Sequence, residues 1–368
     1  MTPLRLLVLG DPHFKRDNVV RTTQMAASFL KLVDELKPDA VINLGDTLDR
    51  FELLHQDPLN QATNFFYDIA DRCPLYVLIG NHDRNNDDVF LEEKNPFIGL
   101  KRTTAPIKII PKVLVETIKG LKFIFVPYVS KGRFAEALNT GGPDLPSLLE
   151  GVTTVFAHQE FKGAVSEPFV SVDGDHWPLE YPLVISGHIH KRQVVQKNIM
   201  YPGIPIQQIR GDDEYKVVTL MTFDSSGLLE QQTYDLGLIK MVEIRVTAAE
   251  FTSFVPPTGK DVILRVSGTE AEIKVIERLN EYKLWKEMGI KIIAERHSVD
   301  VVGALDWDYN QKDIRESLFN RIKQEPDLVE EFNLVLGFLK QTDLSFIPPL
   351  DLIPAIETDT DGPSIPPM

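Results

Sequence analysis

Among 368 residues there is one cysteine, Cys73. A single thiol cannot form an internal disulfide, so a disulfide scaffold is excluded. Cys73 reads as a small buried apolar residue in a reducing compartment. That predicts an intracellular protein, in a cytoplasm, a nucleus or a viral replication site. Long hydrophobic runs are also missing. No apolar stretch approaches about 18 residues, which argues against a membrane-spanning helix. The opening "MTPLRLLVLGDPHF" meets charged residues at once and lacks a signal-peptide cleavage site, so it reads as a first core strand. Positive charge is in short supply, with Lys+Arg 39 against Asp+Glu 54 and a net charge of −15. That argues against a bulk nucleic-acid binder working by charge alone. It does not exclude a nuclease with local contacts, or with contacts supplied by a partner. Histidine is scarce too, at eight residues, and where those eight fall is informative.

What is present is a large apolar fraction, 43%, in a chain long enough for two domains or one domain with additions. The first half alternates strand and helix. "LRLLVLG" (4–10), "DAVINLGD" (39–46) and "PLYVLIGNHD" (74–83) read as buried strands. Between them, 22–37 carries Phe29, Leu32, Val33 and Leu36 at helical spacing, with Pro38 as a stop, and 61–72 carries Ala62, Phe65, Phe66 and Ile69. This alternation predicts a parallel sheet with right-handed crossovers. Further strands are expected at 113–118, 121–129, 152–159, 182–190 and 216–224. From residue 236 the texture changes to a small α+β module ending near 305, with one helix over 269–289. Residues 306–345 read as two amphipathic helices with Pro326 between them, and 346–368 as a Pro-rich, acidic, disordered tail.

The chemistry-bearing residues sit just past the strand ends. Strand one ends in "GDPH", with Asp11 and His13. Strand two ends in "GDTLDR", with Asp46 and Asp49. Strand three ends in "GNHDR", with Asn81, His82 and Asp83. Later strands end in "FAHQ" (His158) and "SGHIH" (His188 and His190). In open α/β sheets ligands bind outside the carboxyl ends of the strands, so these residues should converge. Side chains alternate faces along a strand, so His188 and His190, two residues apart, would stand on one side but a full repeat apart along it. For both rings to serve one site the chain must turn, and Gly187 allows that. So many oxygen and imidazole donors exceed what one ion takes; they suit two ions bridged by a carboxylate. With no thiolate in the set, Mn²⁺ is favoured, with Fe or Zn²⁺ as alternatives. His55 and His297 read as surface or structural residues; His176, in "DGDHWP", is a candidate for the cleft wall.

The ordered set D-x-H, G-D-x-x-D, G-N-H-D, H and G-H-x-H resembles the calcineurin-like metallophosphoesterase superfamily over about the first 225 residues. The resemblance implies a four-layer α-β-β-α sandwich. It implies one metal on Asp11, His13 and His190, a second on Asn81, His158 and His188, and Asp46 bridging them. His82 is implied as the proton donor to the leaving oxygen, with Asp83 orienting its ring and Asp49 behind the ligands. A hydroxide held between the ions would attack phosphorus in line.

Within that superfamily, "IMYPGIPIQQIRGDDEYKVVTLMTFDSSG" (199–227) resembles the segment after the last metal motif in SbcD-type double-strand-break repair nucleases. Gly203 and Pro205 keep that family's turn, while Ile204 stands where it usually has Ser. The module at 236–305 looks like that family's capping domain, and the helical pair lies where such nucleases dock a coiled-coil SbcC-type ABC ATPase. The expectation is therefore an exo- and endo-acting DNA nuclease, a homodimer with an ATPase partner and no membrane contact. Lys15, Arg16, Arg50, Arg84, Lys131, Arg133, Lys191 and Arg192 lie near the motifs, and Arg50 and Arg84 are candidates for substrate phosphate. The alternative within enzymes is a small-nucleotide phosphodiesterase or phosphoprotein phosphatase. A non-catalytic scaffold would be expected to have lost a ligand, and none is missing.

Overall fold

Continuous apolar runs become strands buried on both faces, and the 3.6-residue apolar stripes become the helices that cover them. The structure, a computed structural model, describes residues 2–50, 54–84, 90–142, 144–166 and 168–297. The first sheet takes β1 (Leu4–Leu9), β2 (Ala40–Asn43), β3 (Leu75–Leu78) and β4 (Ile107–Ile110), all parallel. Two helices cross between its strands, α1 (Val19–Leu36) and α2 (Gln56–Ala70). The second sheet takes β5 (Leu114–Ile118), β6 (Leu121–Val126), β7 (Val152–His158), β10 (Leu183–Gly187), β11 (Gln193–Gln196) and β12 (Ile199–Tyr201). Helices α3 (Phe134–Asn139) and α4 (Leu145–Leu149) join β6 to β7, and a hairpin of β8 (Val165–Ser166) and β9 (Phe169–Val170) precedes β10. The antiparallel pair β13 (Val218–Asp224) and β14 (Gly227–Tyr234) then returns to the first sheet beside β1.

The two six-stranded sheets, ordered β14-β13-β1-β2-β3-β4 and β11-β12-β10-β7-β6-β5, pack face to face. Leu6, Val8 and Ile42 of one meet Phe123, Phe125, Phe156 and Ile185 of the other. Tyr76 stacks on Phe125 across the interface with centroids 5.0 Å apart. Truncating one of these fully buried phenylalanines to alanine costs about 3–5 kcal/mol. The outer face of the first sheet buries Met25, Phe29 and Val33 of α1 with Phe65, Phe66 and Ile69 of α2. The outer face of the second sheet is covered by Phe134, Ala137 and Leu138 of α3 and Leu148 of α4. This is the α-β-β-α sandwich expected from the sequence. Helix α1 starts at Val19, three residues before its legible stripe, and ends on Lys37 in the left-handed conformation at φ 47.

Beyond Tyr234 a third sheet has its own apolar core of Val246, Phe251, Leu264, Ile273 and Trp285. Its strands β15 (Lys240–Thr247), β16 (Lys260–Thr269) and β17 (Lys291–His297) all run parallel. The crossovers are α5 (Ala248–Phe251) and the pair α6 (Glu270–Ile276) and α7 (Asn280–Glu287). The single helix expected over 269–289 is thus two. Leu279 is extended (φ −65, ψ 148), which lets Ile276 and Trp285 both reach the same core. No Gly or Pro marks that break. Thr247 and Thr269 open α5 and α6 with capping boxes to Glu250 and Glu272. The expected helical pair at 306–345 and tail at 346–368 lie outside the described residues.

Candidate metal centre and active site

The ends of β1, β2, β3, β7 and β10 bring their motifs to one rim. Asp11, His13 and His190 each offer a ligand atom within 4.8 Å of the others, and so do Asp46, His158 and His188. Asn81 Oδ1 lies 3.1 Å from His158 Nε2 and 2.8 Å from His188 Nδ1. Asp46 joins the two groups. Its Oδ1 accepts the His82 backbone N–H at 2.9 Å. Its Oδ2 stands 3.9 Å from His13 Nε2 and 3.3 Å from His158 Nε2. His188 and His190, two residues apart, serve different groups: His190 Nε2 faces His13 Nε2 at 3.0 Å, while His188 Nδ1 faces Asn81.

The backbone makes this convergence. His13 (φ 47), Asp46 (φ 47) and His188 (φ 80) all adopt the left-handed region that side chains other than glycine's avoid. Such conformations cost on the order of 1–3 kcal/mol each and concentrate at functional sites. The turn expected at Gly187 is made by His188 itself. Gly187 stays in β10, and its role is closeness: a Cβ there would stand 2.5 Å from Asp11 Oδ1. Gly80 is the same case, since a Cβ there would overlap the Asp46 carboxylate.

Each ring is oriented from behind. His158 Nδ1 lies 2.8 Å from the Leu44 carbonyl. A carbonyl only accepts, so Nδ1 carries a proton, and Nε2 faces Asn81 and Asp46. His13 Nδ1 has Asp49 Oδ1 behind it at 3.6 Å. His188 Nε2 has Glu160 Oε2 behind it at 3.7 Å. The His188 imidazole, reinforced by Lys131 and Ser171, holds Glu160 down at about 2. Carboxylates and carbonyls behind ligand imidazoles fix tautomer and direction.

Burial dominates the electrostatics. It pushes Asp11 up to about 7 against the pull of His158. It lowers His13 well below the usual imidazole range, and His190 to about 4. His158 goes the other way: burial would lower it, but the Asp46 and Asp11 charges outweigh that and hold it up at about 9. Asp46 is likewise opposed by burial, yet His158 and His13 keep it ionised well below the carboxylate range.

The donor set fits divalent ions. Asp11 Oδ1 is buried without a hydrogen-bond partner, although its other oxygen accepts the His188 N–H at 2.8 Å. An uncompensated buried carboxylate oxygen is costly, and a cation among Asp11, His13 and His190 would compensate it. Oxygen and imidazole nitrogen without sulfur suit a borderline or hard divalent metal.

His82 stands at the edge of this cluster. Its Nδ1 lies 2.6 Å from the Asp49 carbonyl, so Nδ1 donates and Nε2 faces the cleft, 3.9 Å from Asp46 Oδ2. That corrects the part expected of Asp83. The Asp83 carboxylate is fully buried and accepts the backbone N–H groups of Thr47, Leu48 and Gly80. It ties the second motif loop to the third, and the ring of His82 is held by Asp49 instead.

Arg84 requires a correction too. It is 3% exposed, donates from Nη1 to the Tyr128 carbonyl at 3.2 Å, and lies over the Tyr128 ring. It supports Tyr128, whose ring sits 5.5 Å from that of His188. Arg50 is exposed on the cleft wall with Lys15 and Arg16. His176 is exposed on its loop, outside the converging groups, and His297 is exposed at the end of β17. Glu160 and Tyr128 escaped the sequence reading. Glu160 follows His158 by two residues in "FAHQE", which is a local signal; Tyr128 carries none.

The comparisons with known proteins bear on this geometry. The sequence model of the calcineurin-like phosphoesterases matches residues 4–192, the segment that carries every residue of both metal groups. The chain belongs to that family. It is a metal-dependent phosphoesterase, a hydrolase. Two viral relatives are similar to it. "Putative phosphoesterase 078R" of Invertebrate iridescent virus 3 is 42% identical over 241 residues, 66% of this chain and 67% of the relative. "Putative phosphoesterase 244L" of Invertebrate iridescent virus 6 is 36% identical over 272 residues, 72% of this chain and 94% of the relative. Among solved structures, GAP50, the anchor in the inner membrane complex of Plasmodium, aligns with 63% of this chain and 89% of its own at 16% identity and TM-score 0.39. Among the described residues of this phosphoesterase no helix is long and apolar enough to cross a membrane.

Proposed function

We propose that this phosphoesterase is a two-metal phosphodiesterase that cleaves DNA, the nuclease subunit of a double-strand-break repair complex. The observation that carries the reading is how the third sheet is moored to the metal rim. Gln207 takes the Met241 N–H on Oε1 at 2.7 Å and returns Nε2 to the Met241 carbonyl at 3.0 Å. Arg210 clasps the Asp261 carbonyl and carboxylate at 2.7 and 2.8 Å. Between them Gln208 donates to the Pro12 carbonyl, inside the Asp11–His13 loop. An added module tied to the metal-bearing loop suits a long substrate crossing the cleft, and a small-molecule hydrolase has no need of one. The hairpin beside His188 supports the same reading: Phe169 is 75% exposed there, a surface on which a base can stack.

A pair of divalent ions, Mn²⁺ in this reading, would be held by Asp11, His13 and His190, by Asn81, His158 and His188, and by Asp46 between them; when bound they supply Lewis acidity and acidify water. The chain's own residues do the rest. Leu44, Asp49 and Glu160 aim the ligand rings. His82, its ring held by Nδ1–H on the Asp49 carbonyl, turns Nε2 to the cleft to protonate the departing oxygen. The same reading carries a homodimer and a coiled-coil ABC-type ATPase bound through 306–345.

The test compares labelled linear DNA with bis-p-nitrophenyl phosphate in millimolar Mn²⁺, using wild type and His82→Ala. DNA degradation is expected, falling by about 10²–10⁴ in the variant with metal content retained. Hydrolysis of the aryl diester with no DNA turnover, under several metals and with free ends, refutes the DNA reading and favours a small-substrate phosphodiesterase.

A further inference from the structure

We infer that the cavity beside Asp49 is a second phosphate site, which receives the phosphate of the departing nucleotide. The inference rests on the DNA-cleavage reading and adds a direction to it. The cavity, about 280 Å³, is lined among others by Lys15, Arg16, Asp17, Asp49, Arg50 and His55. Lys15 is committed to Asp49 at 3.3 Å. Arg16 and Arg50 are exposed and, among the described residues, make no ion pair or side-chain hydrogen bond. Three cations thus face two carboxylates in a chain whose net charge is −15, so the sign of charge is locally inverted. Two exposed guanidinium groups at a concave surface are suited to phosphate, which they bind with paired N–H donors.

Asp49 sets the direction. Its carboxylate lies between Lys15 and His13, while its carbonyl fixes His82 Nδ1. The cavity therefore shares a wall with the proton donor. The departing oxygen must sit at His82 Nε2 to be protonated, so the chain beyond that oxygen lies on the Asp49 side. The opposite flank differs. There, beside His188, a cavity of about 330 Å³ is lined by Phe169, Val170 and Val172, and Lys131 in its wall pairs with Glu160 and Asp173. One flank suits a phosphate and the other a base.

Two measurements on the full chain test this. The first is binding of a labelled oligothymidylate in EDTA to wild type, to Arg16→Ala/Arg50→Ala, and to Arg102→Ala/Arg278→Ala, which removes equal charge from exposed sites away from this cavity. The cavity variant is expected to bind about tenfold more weakly. Its salt slope is expected to fall by about 0.7 per arginine removed, with the control near wild type. The second is turnover of TpT, pTpT and TpTp with Mn²⁺. One phosphorylated dinucleotide, not both, is expected to exceed TpT about tenfold in kcat/KM, and the advantage is expected to vanish in the cavity variant. Unchanged affinity and slope in that variant, a wild type that does not bind in EDTA, or an equal gain from both terminal phosphates would each overturn the site. Arginine-dependent binding without cleavage of any oligonucleotide keeps the phosphate site and removes the nuclease reading.

Discussion

Asp83→Ala is the substitution whose outcome separates a structural carboxylate from a catalytic one. In the native protein Asp83 Oδ2 accepts the N–H groups of Thr47 and Gly80 at 3.1 and 3.2 Å, and Oδ1 that of Leu48 at 2.9 Å, with the residue 0% exposed. Alanine leaves three buried donors without an acceptor. Each such donor costs about 1–3 kcal/mol. Relaxation of the two loops and entry of water reduce the sum, so a loss of roughly 3–5 kcal/mol is expected. That is a large part of the 5–15 kcal/mol that typically stabilises a domain. The assay is urea denaturation followed by circular dichroism, alongside kcat on an aryl phosphodiester well below the unfolding transition. Asp83→Asn keeps the shape and one acceptor oxygen, so its stability is expected to fall between wild type and Asp83→Ala. If Asp83→Ala unfolds within about 1 kcal/mol of wild type while its kcat drops as far as that of His82→Ala, the tie between the motif loops is refuted and the carboxylate acts on the His82 ring.

Three further outcomes follow from the same geometry. Gly80→Ala sets a methyl group into the Asp46 carboxylate and is expected to abolish binding of the second metal equivalent, read by calorimetry; full two-metal stoichiometry counts against the packing argument. Chelation with EDTA is expected to lower Tm, because a ligand at a hundred times its Kd contributes about 2.7 kcal/mol; an unchanged melting curve means that the clustered donors do not hold metal. Cys73 is 8% exposed, and burial pushes its thiol up to about 11. A raised pKa keeps the proton on through neutral pH, with about one thiol in a thousand ionised at pH 8. Dithionitrobenzoate is therefore expected to react at least ~100-fold more slowly with native than with urea-unfolded protein, and equal rates refute the burial.

Much of the fold was legible because buried parallel strands are written as unbroken apolar runs, and β1, β2, β3, β6, β7 and β10 each had one. Strands on half-solvated edges were not legible. In β14, the stretch LLEQQT alternates too weakly to stand out, and β4 is a four-residue strand read only once β3 lies beside it. The ligand set was legible from residue type and place: Asp, Asn or His straight after a strand is an uneconomical way to end a core element unless it does something. The partners behind those ligands were not legible. Leu44 and Asp49 act on His158 and His82 through carbonyl oxygens, and a backbone acceptor has no letter in a sequence. Asp83 misled for the converse reason. Its place beside His82 in G-N-H-D suggests a pair, but neighbours in sequence point apart, and its carboxylate turned inward to three amides.

The left-handed ligands answer why two histidines separated by one residue end a core strand. Had β10 continued as a strand, His188 and His190 would have pointed to the same side, one step apart along a straight line. At φ 80, His188 bends the chain out of the sheet, so its ring drops toward Asn81 while His190 reaches across to His13. The same device acts at His13 and Asp46, both at φ 47. A glycine would adopt each of these conformations without strain but would have no ligand to offer. The strain must therefore be offset by the interactions of the side chain, and metal coordination is the strongest interaction these side chains can make. It follows that His13→Gly and His188→Gly should be less destabilising in EDTA than His13→Ala and His188→Ala, because glycine relieves the backbone that alanine leaves strained. With Mn²⁺ present all four should fall equally short of wild type. Glycine variants that are the less stable of each pair in EDTA would show that these backbones are held by something other than the metal groups.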